Sequence, residues 1–181
     1  MNEILSGRLV QLRPATAADR QPIFEWLTRS NLTPQMLGPP LYPDNPVPTW
    51  EEFTRDYVGF YFDGSQPLRG RCFIIEVNHQ PVGQINYDTI ALAGPVMELD
   101  IWLRDSAFSG KGYGPDAINT LCLYLFRQFQ CPTFIIAPSA RNTRAVRAYR
   151  KAGFHPARPA PPGFIPDYDD TVVLVRHEKP G

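Results

Sequence analysis

Ser109-Gly110-Lys111-Gly112-Tyr113-Gly114 decides the fold of this chain through what stands on either side of it. Upstream runs a strand-like segment, Val96-Met97-Glu98-Leu99-Asp100-Ile101-Trp102-Leu103. Downstream, from Pro115, apolar residues return at Ala117, Ile118, Leu121, Cys122, Leu125 and Phe129, the 3.6-residue period of a helix with one buried face. A strand, a glycine-rich turn and a helix N-terminus together form an anion cradle. Glycine lets backbone N–H groups turn inward, and the helix dipole adds about half a positive charge. The local residues leave two readings open, a phosphate cradle or a plain tight turn that caps a helix.

A second element lies about 30 residues on: Ala137-Pro138-Ser139-Ala140-Arg141-Asn142, then Ala148-Tyr149-Arg150-Lys151-Ala152-Gly153-Phe154. The two elements in this order resemble the GNAT superfamily of acetyl-CoA-dependent N-acetyltransferases. The family's phosphate loop reads Arg/Gln-x-x-Gly-x-Gly/Ala, and Ser109, Gly112 and Gly114 fall on its first, fourth and sixth positions. Its next motif, an Asn near a helix start followed by Tyr and a Gly-Phe ending, is matched by Asn142, Tyr149, Gly153 and Phe154. The resemblance spans roughly Glu98 to Phe154. Ser109 departs from the usual Arg or Gln, and Pro115 stands where many members keep a free N–H.

Composition narrows the class. The 181 residues suit one domain with a real core, read here as a single N-acetyltransferase domain over 1–181. Lys plus Arg and Asp plus Glu both number 18, so the net charge is zero. That argues against a nucleic-acid partner, which a basic excess would mark. No apolar run reaches the length of a membrane span, and Met1-Asn2-Glu3-Ile4-Leu5-Ser6 has no signal-peptide pattern. Cys72, Cys122 and Cys131 have neither metal nor disulfide spacing, so no metal is expected and a cytoplasmic home fits best.

The rest of the chain reads as alternating elements. A first strand covers Arg8–Arg13. The boxes Thr16-x-x-Asp19 and Thr49-x-x-Glu52 each open a helix, the second carrying Phe53, Tyr57 and Phe60. A proline-rich loop covers 31–48. Strands Arg71–Val77 and Val82–Ile90 flank the turn Asn78-His79-Gln80-Pro81. Thr133–Ala137 is a strand, Thr143–Ala152 a helix capped by Gly153, and Thr171–Arg176 a closing strand. This order suits an α/β domain with helices on both faces of one sheet. The resemblance implies a mixed, largely antiparallel sheet, splayed between the strands of Asp100 and Ile135 where the pantetheine arm of CoA lies.

Acetyl transfer asks for four groups. Phosphate donors would come from the N–H groups of Gly110 to Gly114, with Lys111 either adding charge or facing solvent; Ser109 and Tyr113 complete the loop. The leaving thiolate needs a proton. A thiol pKa of about 8.5 and a tyrosine pKa of about 10 let a placed phenol supply it. Tyr149 holds the family's position for this acid, and Asn142 reads as a contact to the CoA arm or as a helix cap. Third, the amine needs a base or anchor. Strand alternation sets Glu98, Asp100 and Trp102 on one face, and Leu99, Ile101 and Leu103 on the other. With the apolar set on the core helices, Asp100 is the first candidate for base or amine anchor and Glu98 the second. Fourth, a backbone N–H near Ile101, Trp102 or Leu103 would serve the thioester oxygen.

Within the superfamily, Glu98 to Leu103 and Phe24 to Ser30 look most like aminoglycoside 6'-N-acetyltransferases, whose tryptophan-rich segment is not evident here. Acids and aromatics that could hold a polycation are Trp50, Glu51, Glu52, Tyr57, Tyr61, Asp63 and Asp167-Tyr168-Asp169-Asp170. The expected partner is a small-molecule primary amine, with the protein a monomer or homodimer. Two alternatives stand beside it. One is acetylation of a protein N-terminus, as in ribosomal-protein acetyltransferases; the other is a non-catalytic acetyl-CoA sensor. The stripe Arg141, Arg144, Arg147, Arg150 reads as a solvated face or as a partner for the adenosine phosphate.

Overall fold

The computed structural model of the chain describes residues 3–38, 42–90 and 95–179. Among these residues eight strands form one sheet: β1 (Leu5–Ser6), β2 (Gln11–Pro14), β3 (Gly70–Val77), β4 (Gln80–Ile90), β5 (Val96–Leu103), β6 (Thr133–Ile136), β7 (His155–Pro156) and β8 (Leu174–His177). Their spatial order is β1-β2-β3-β4-β5-β6-β8-β7. Every pairing is antiparallel except β5 with β6. Among the described residues six α-helices accompany the sheet: α1 (Arg20–Arg29), α2 (Thr33–Met36), α3 (Trp50–Asp56), α4 (Phe60–Asp63), α5 (Tyr113–Phe129) and α6 (Thr143–Lys151). No helix among the described residues is long and apolar enough to cross a membrane.

Period-2 alternation divides the core into two layers. Phe73, Ile75, Ile85, Tyr87 and Leu99 point to one face, where α5 lays down Ala117, Ile118, Leu121, Cys122 and Leu125. Cys72, Ile74 and Trp102 point to the other face and pack on Ile23 and Leu27 of α1, Phe53 of α3 and Tyr61 and Phe62 of α4. All three cysteines are buried and unpaired.

The parallel pair matters most for function. Its ladder runs Val96↔Thr133, Met97↔Phe134 and Glu98↔Ile135, then stops. β5 continues to Leu103 paired only with β4. From Asp100 onward the backbone groups of β5 that face β6 have lost their ladder partners, and such groups need others.

Several expected boundaries move. The first strand divides into β1 and β2, because Asp116 of α5 draws the chain between them into a tight loop. Its carboxylate accepts the N–H groups of Arg8 (3.2 Å), Leu9 (2.7 Å) and Val10 (3.0 Å). α5 begins at Tyr113 rather than Pro115, so proline is its third residue; the first intrahelical bond runs from Asp116 N–H to Gly112 C=O at 3.1 Å. That position tolerates proline, since its N–H would have no intrahelical acceptor. The Thr49 box forms as expected, with the Thr49 N–H bonded to Glu52 at 2.7 Å. Its helix ends at Asp56, and Phe60 belongs to the separate α4. The Thr16 box opens a 3-10 turn at Ala17–Asp19 before α1, and Arg13 pairs with Asp19 at 2.9 Å. The turn between β3 and β4 is only Asn78 and His79, at φ 51° and 62°, so Gln80 and Pro81 belong to β4. Helix α2 stands inside the expected proline-rich loop, of which residues 39–41 lie outside the described ones. The closing strand is β8, Leu174–His177, with Thr171 reaching Ser139 through a single bridge. Strand β7 follows Gly153, whose φ of 85° ends α6 as the sequence suggests.

Candidate functional site

Two cavities meet where β5 and β6 part, and they share Met36, Ile101, Trp102, Asn142 and Tyr149. The first, of about 320 Å³, is largely apolar. It runs from Trp102 and Leu103 past Phe108 to the turn at Ser109, Gly110, Gly112, Tyr113 and Gly114, with Ala145, Ala148, Arg144, Arg147 and Lys151 of α6 as its far wall. Gly110 and Gly112 take φ of 76° and 84°, a left-handed backbone that glycine adopts without strain. A Cβ placed on Gly110 or Gly114 meets no protein atom within 4 Å, so the space before both belongs to the cavity. Tyr113 and Gly114 precede the first intrahelical bond, and their N–H groups belong to the electropositive helix end. A phosphate-bearing thioester with a long amide arm fits this shape. Donors stand at one end, an apolar channel follows, and the unpaired edge of β5 lies beside the junction.

Of the residues expected in this region, Ile101, Trp102, Leu103, Ser109, Gly110, Gly112, Tyr113, Gly114 and Asn142 all line the cavity. Lys111 does not; its ammonium sits 5.8 Å from the Phe108 ring centre. The arginine stripe divides, with Arg144 and Arg147 on the cavity wall. Asn142 caps α6, its Oδ1 accepting the Ala145 N–H at 3.1 Å, and still lines both cavities.

The second cavity, of about 280 Å³, is acidic. Asp56, Asp88, Glu98, Asp100 and Asp167 line it, with Tyr57, Tyr61, Tyr149, Tyr168 and Asn86, and no Lys, Arg or His stands among its described lining residues. Register explains the cluster. Asp88 lies directly across from Glu98, and Asn86 across from Asp100, on one face of the β4–β5 pair. Like charges so placed repel. Glu98 is half-buried, and desolvation first, then Asp100, Asp167 and Asp88, push its carboxyl up to about 8. Asp100 opens to the water of the cavity but is ringed by protein. Desolvation dominates and lifts it to about 6, against the Tyr57 hydroxyl, which donates to Oδ2 at 3.2 Å, and the Ile101 N–H, which also favours the ionised form. Asp88 rises through burial, opposed by the Tyr61 hydroxyl and the Asn86 amide, which donate to it. Burial, then Asp100's charge, holds the Tyr149 phenol well above the ordinary tyrosine range.

Asn86, Asp88 and Asp56 escaped the sequence reading. The signal was present in Asn86-Tyr87-Asp88, which alternates in step with Glu98-Leu99-Asp100, but it needs the register of two strands to be read. Of the expected cation wall, Tyr57, Tyr61, Asp167 and Tyr168 line the cavity. The others are not among its lining residues. Trp50 packs on Phe24 and Phe53, Glu52 caps α3, Asp63 accepts the Ser65 N–H, and Asp170 accepts the Ser139 hydroxyl at 2.7 Å.

The acetyltransferase (GNAT) domain family model matches residues 9–155, which holds β2 through β6, α1 through α6 and both cavities' shared residues. The chain belongs to the GNAT acetyltransferases. It is an acetyl-CoA-dependent N-acetyltransferase, with the open mixed sheet of that family. It is 26% identical over 159 residues to aminoglycoside N(6')-acetyltransferase type 1 of Klebsiella pneumoniae and to the protein of the same name from Serratia marcescens, covering 82% of this chain and 75% of each relative. Its fold matches AAC(6')-Ib in complex with paromomycin and acetyl-CoA at a TM-score of 0.70, with 23% identity and 94% of both chains covered. It also matches RimL, a ribosomal L7/L12 alpha-N-protein acetyltransferase in complex with coenzyme A, at a TM-score of 0.72, with 20% identity and 97% and 98% covered.

Proposed function

We propose that this GNAT enzyme acetylates a primary amine of a small polycationic molecule, of the aminoglycoside kind, by direct attack in a ternary complex. One observation carries the reading: Asp56, Asp88, Glu98, Asp100 and Asp167 line one cavity that shares Tyr149 with the acetyl-CoA channel. So many carboxylates without a lining cation repel one another, and a ligand with several ammonium groups relieves them. No cysteine lines either cavity among the described residues, which agrees with transfer straight to the amine. The aminoglycoside acetyltransferase relatives lend the substrate class.

In this reading Asp100 takes a proton from the bound ammonium, directly or through water. Glu98, a step along the same face, anchors the substrate. The Tyr149 phenol gives its proton to the departing sulfur. A β5 backbone N–H between Ile101 and Leu103 steadies the thioester oxygen. Ser109, Gly110, Gly112, Tyr113 and Gly114 hold the phosphates, Lys111 adds charge near them, and Asn142 bonds the amide arm. The enzyme works as a single domain over 1–181, a monomer or homodimer in the cytoplasm, where its three thiols stay reduced.

The test is a panel of amines with acetyl-CoA, following free thiol. It should hold aminoglycosides, simple polyamines, monoamines and peptides with free N-termini. Turnover favouring the polycations is expected. Acetylation of the peptides alone would move the acceptor to a protein terminus. Binding of acetyl-CoA with no turnover of any amine would make the protein a sensor.

A further inference from the structure

Tyr57 is bound into the acidic cavity more tightly than a lining residue needs to be. It stacks on Phe53 at 4.6 Å between ring centres with an 8° tilt, and meets Trp102 edge-on at 5.8 Å. This packing fixes the ring, so only the hydroxyl proton is left to rotate. It has two acceptors at nearly equal reach, Asp100 Oδ2 at 3.2 Å and Asn86 Oδ1 at 3.3 Å. Asn86 cannot turn away without loss, because its Nδ2 donates to Asp88 at 3.3 Å. One proton therefore serves two oxygens, only one of which changes charge.

We propose that Tyr57 is the positioning residue that sets the ionisation of Asp100, its hydroxyl proton following the carboxylate's charge between Asp100 and Asn86. When Asp100 is ionised the phenol donates to it, since a charged acceptor is the stronger one. When Asp100 takes up a proton, the phenol turns to the Asn86 amide oxygen, and the new carboxyl proton can be donated to the Tyr57 oxygen. The Asn86 oxygen gives up this donor while Asp100 is ionised and regains it when Asp100 is protonated. The proposal rests on the reading that Asp100 handles the amine proton, and it gives that group a partner that turns only its hydroxyl proton between the two states.

Other groups also face Asp100 and must be separated from Tyr57. They are Asp88 on β4, Glu98 on β5, Asp56 at the end of α3 and Asp167 on the loop before β8. The phenols are Tyr61 on α4, Tyr149 on α6 and Tyr168 beside Asp167. The structure gives Tyr57 no hydrogen bond to any of them, so its removal should act on Asp100 before the others.

The experiment is carbon-13 carboxyl NMR on aspartate-labelled protein, with the Asp100 signal assigned by its loss in Asp100→Asn. In Tyr57→Phe, which keeps the stacked ring, the Asp100 midpoint should rise by about 1 pH unit, a tenfold change in proton affinity. In Asn86→Ala, which removes the competing acceptor, it should fall. Opposite shifts cannot come from a shared loss of packing. The pH profile of acetyl transfer gives the second readout, with the acidic limb of kcat/KM moving the same way in each variant. An Asp100 midpoint unchanged in Tyr57→Phe, or moving the same way in both variants, would overturn the proposal. An acidic limb that stays fixed while the NMR midpoint moves would leave Tyr57 as the residue that tunes Asp100 and would remove Asp100 from the proton transfer. Should Tyr57→Phe fail to fold, Asn86→Ala decides with the Asp88 signal followed in the same spectra, since Asn86 also donates to Asp88: a fall at Asp100 with Asp88 unmoved supports the proposal, and no fall, or one that only tracks a shift of Asp88, overturns it.

Discussion

Tyr149 touches both cavities, and the proposed chemistry gives it one proton to donate. Tyr149→Phe keeps the ring and removes that proton. We expect kcat to fall by roughly 10²–10⁴-fold, the range of general acid effects, while calorimetry finds acetyl-CoA binding within a few-fold of wild type. An unchanged kcat would leave the ring a packing residue of the α5 face. The carboxylates differ in the same way. With Asp100 lifted to about 6 and acting as base, kcat/KM should decline below that pH as the carboxylate takes up a proton. Asp100→Asn should abolish this limb, and its deficit should shrink toward alkaline pH as free amine accumulates. Glu98→Gln should act mainly on the acceptor KM. Steady-state profiles of the two variants separate these roles, and matching profiles would merge them.

Among elements, the N-terminal turn of α5 does two jobs. Gly110, Gly112, Tyr113 and Gly114 border the acetyl-CoA channel, while Asp116, on the same turn, binds three backbone N–H groups of the β1–β2 loop. Asp116→Ala should cost about 2–4 kcal/mol, since hydrogen bonds to a charged group are worth roughly 1.5–3 each and the freed N–H groups regain water. The melting temperature should fall by about 4–15 °C, with acetyl transfer preserved below it. A loss of transfer without a loss of stability would mean that the clamp shapes the channel instead. This clamp was hidden in the sequence, because Asp116 and Gly7 to Val10 lie about a hundred residues apart and no local pattern joins them. The turn itself was legible from its glycines, as were β5 from its alternation and α6 from Asn142 and Gly153. Those signals are local. The pairing of Asp88 with Glu98 depends on strand register, and the split between α3 and α4 on how Tyr57 and Tyr61 both reach the same cavity.

At the scale of the whole molecule, the acidic cavity trades stability for binding. Burial and the neighbouring carboxylates push the Glu98 carboxyl up to about 8 in the fold, from an ordinary 4.5. A raised carboxyl stabilises the fold fully below about 4.5, and that contribution is lost as pH climbs through about 8. Glu98→Gln should therefore melt like wild type at pH 4 and above it at pH 8.5. With the shift discounted for the water in the cavity, the gain is about 1–3 kcal/mol, or roughly 3–8 °C. A gap of equal size at both pH values would assign the effect to packing. The ladder that ends at Glu98 has a different consequence, in the order of events. The two cavities meet at Met36, Ile101, Trp102, Asn142 and Tyr149, and beyond that junction each has walls of its own, α5 and the rest of α6 for one, α3, α4 and the Asp167 loop for the other. Each should bind the free enzyme, in calorimetry with the partner absent, and coenzyme A should be able to depart while the acetylated product is still seated. The kinetics should be random sequential, a slit in a sheet serving as a crossing entered from two sides.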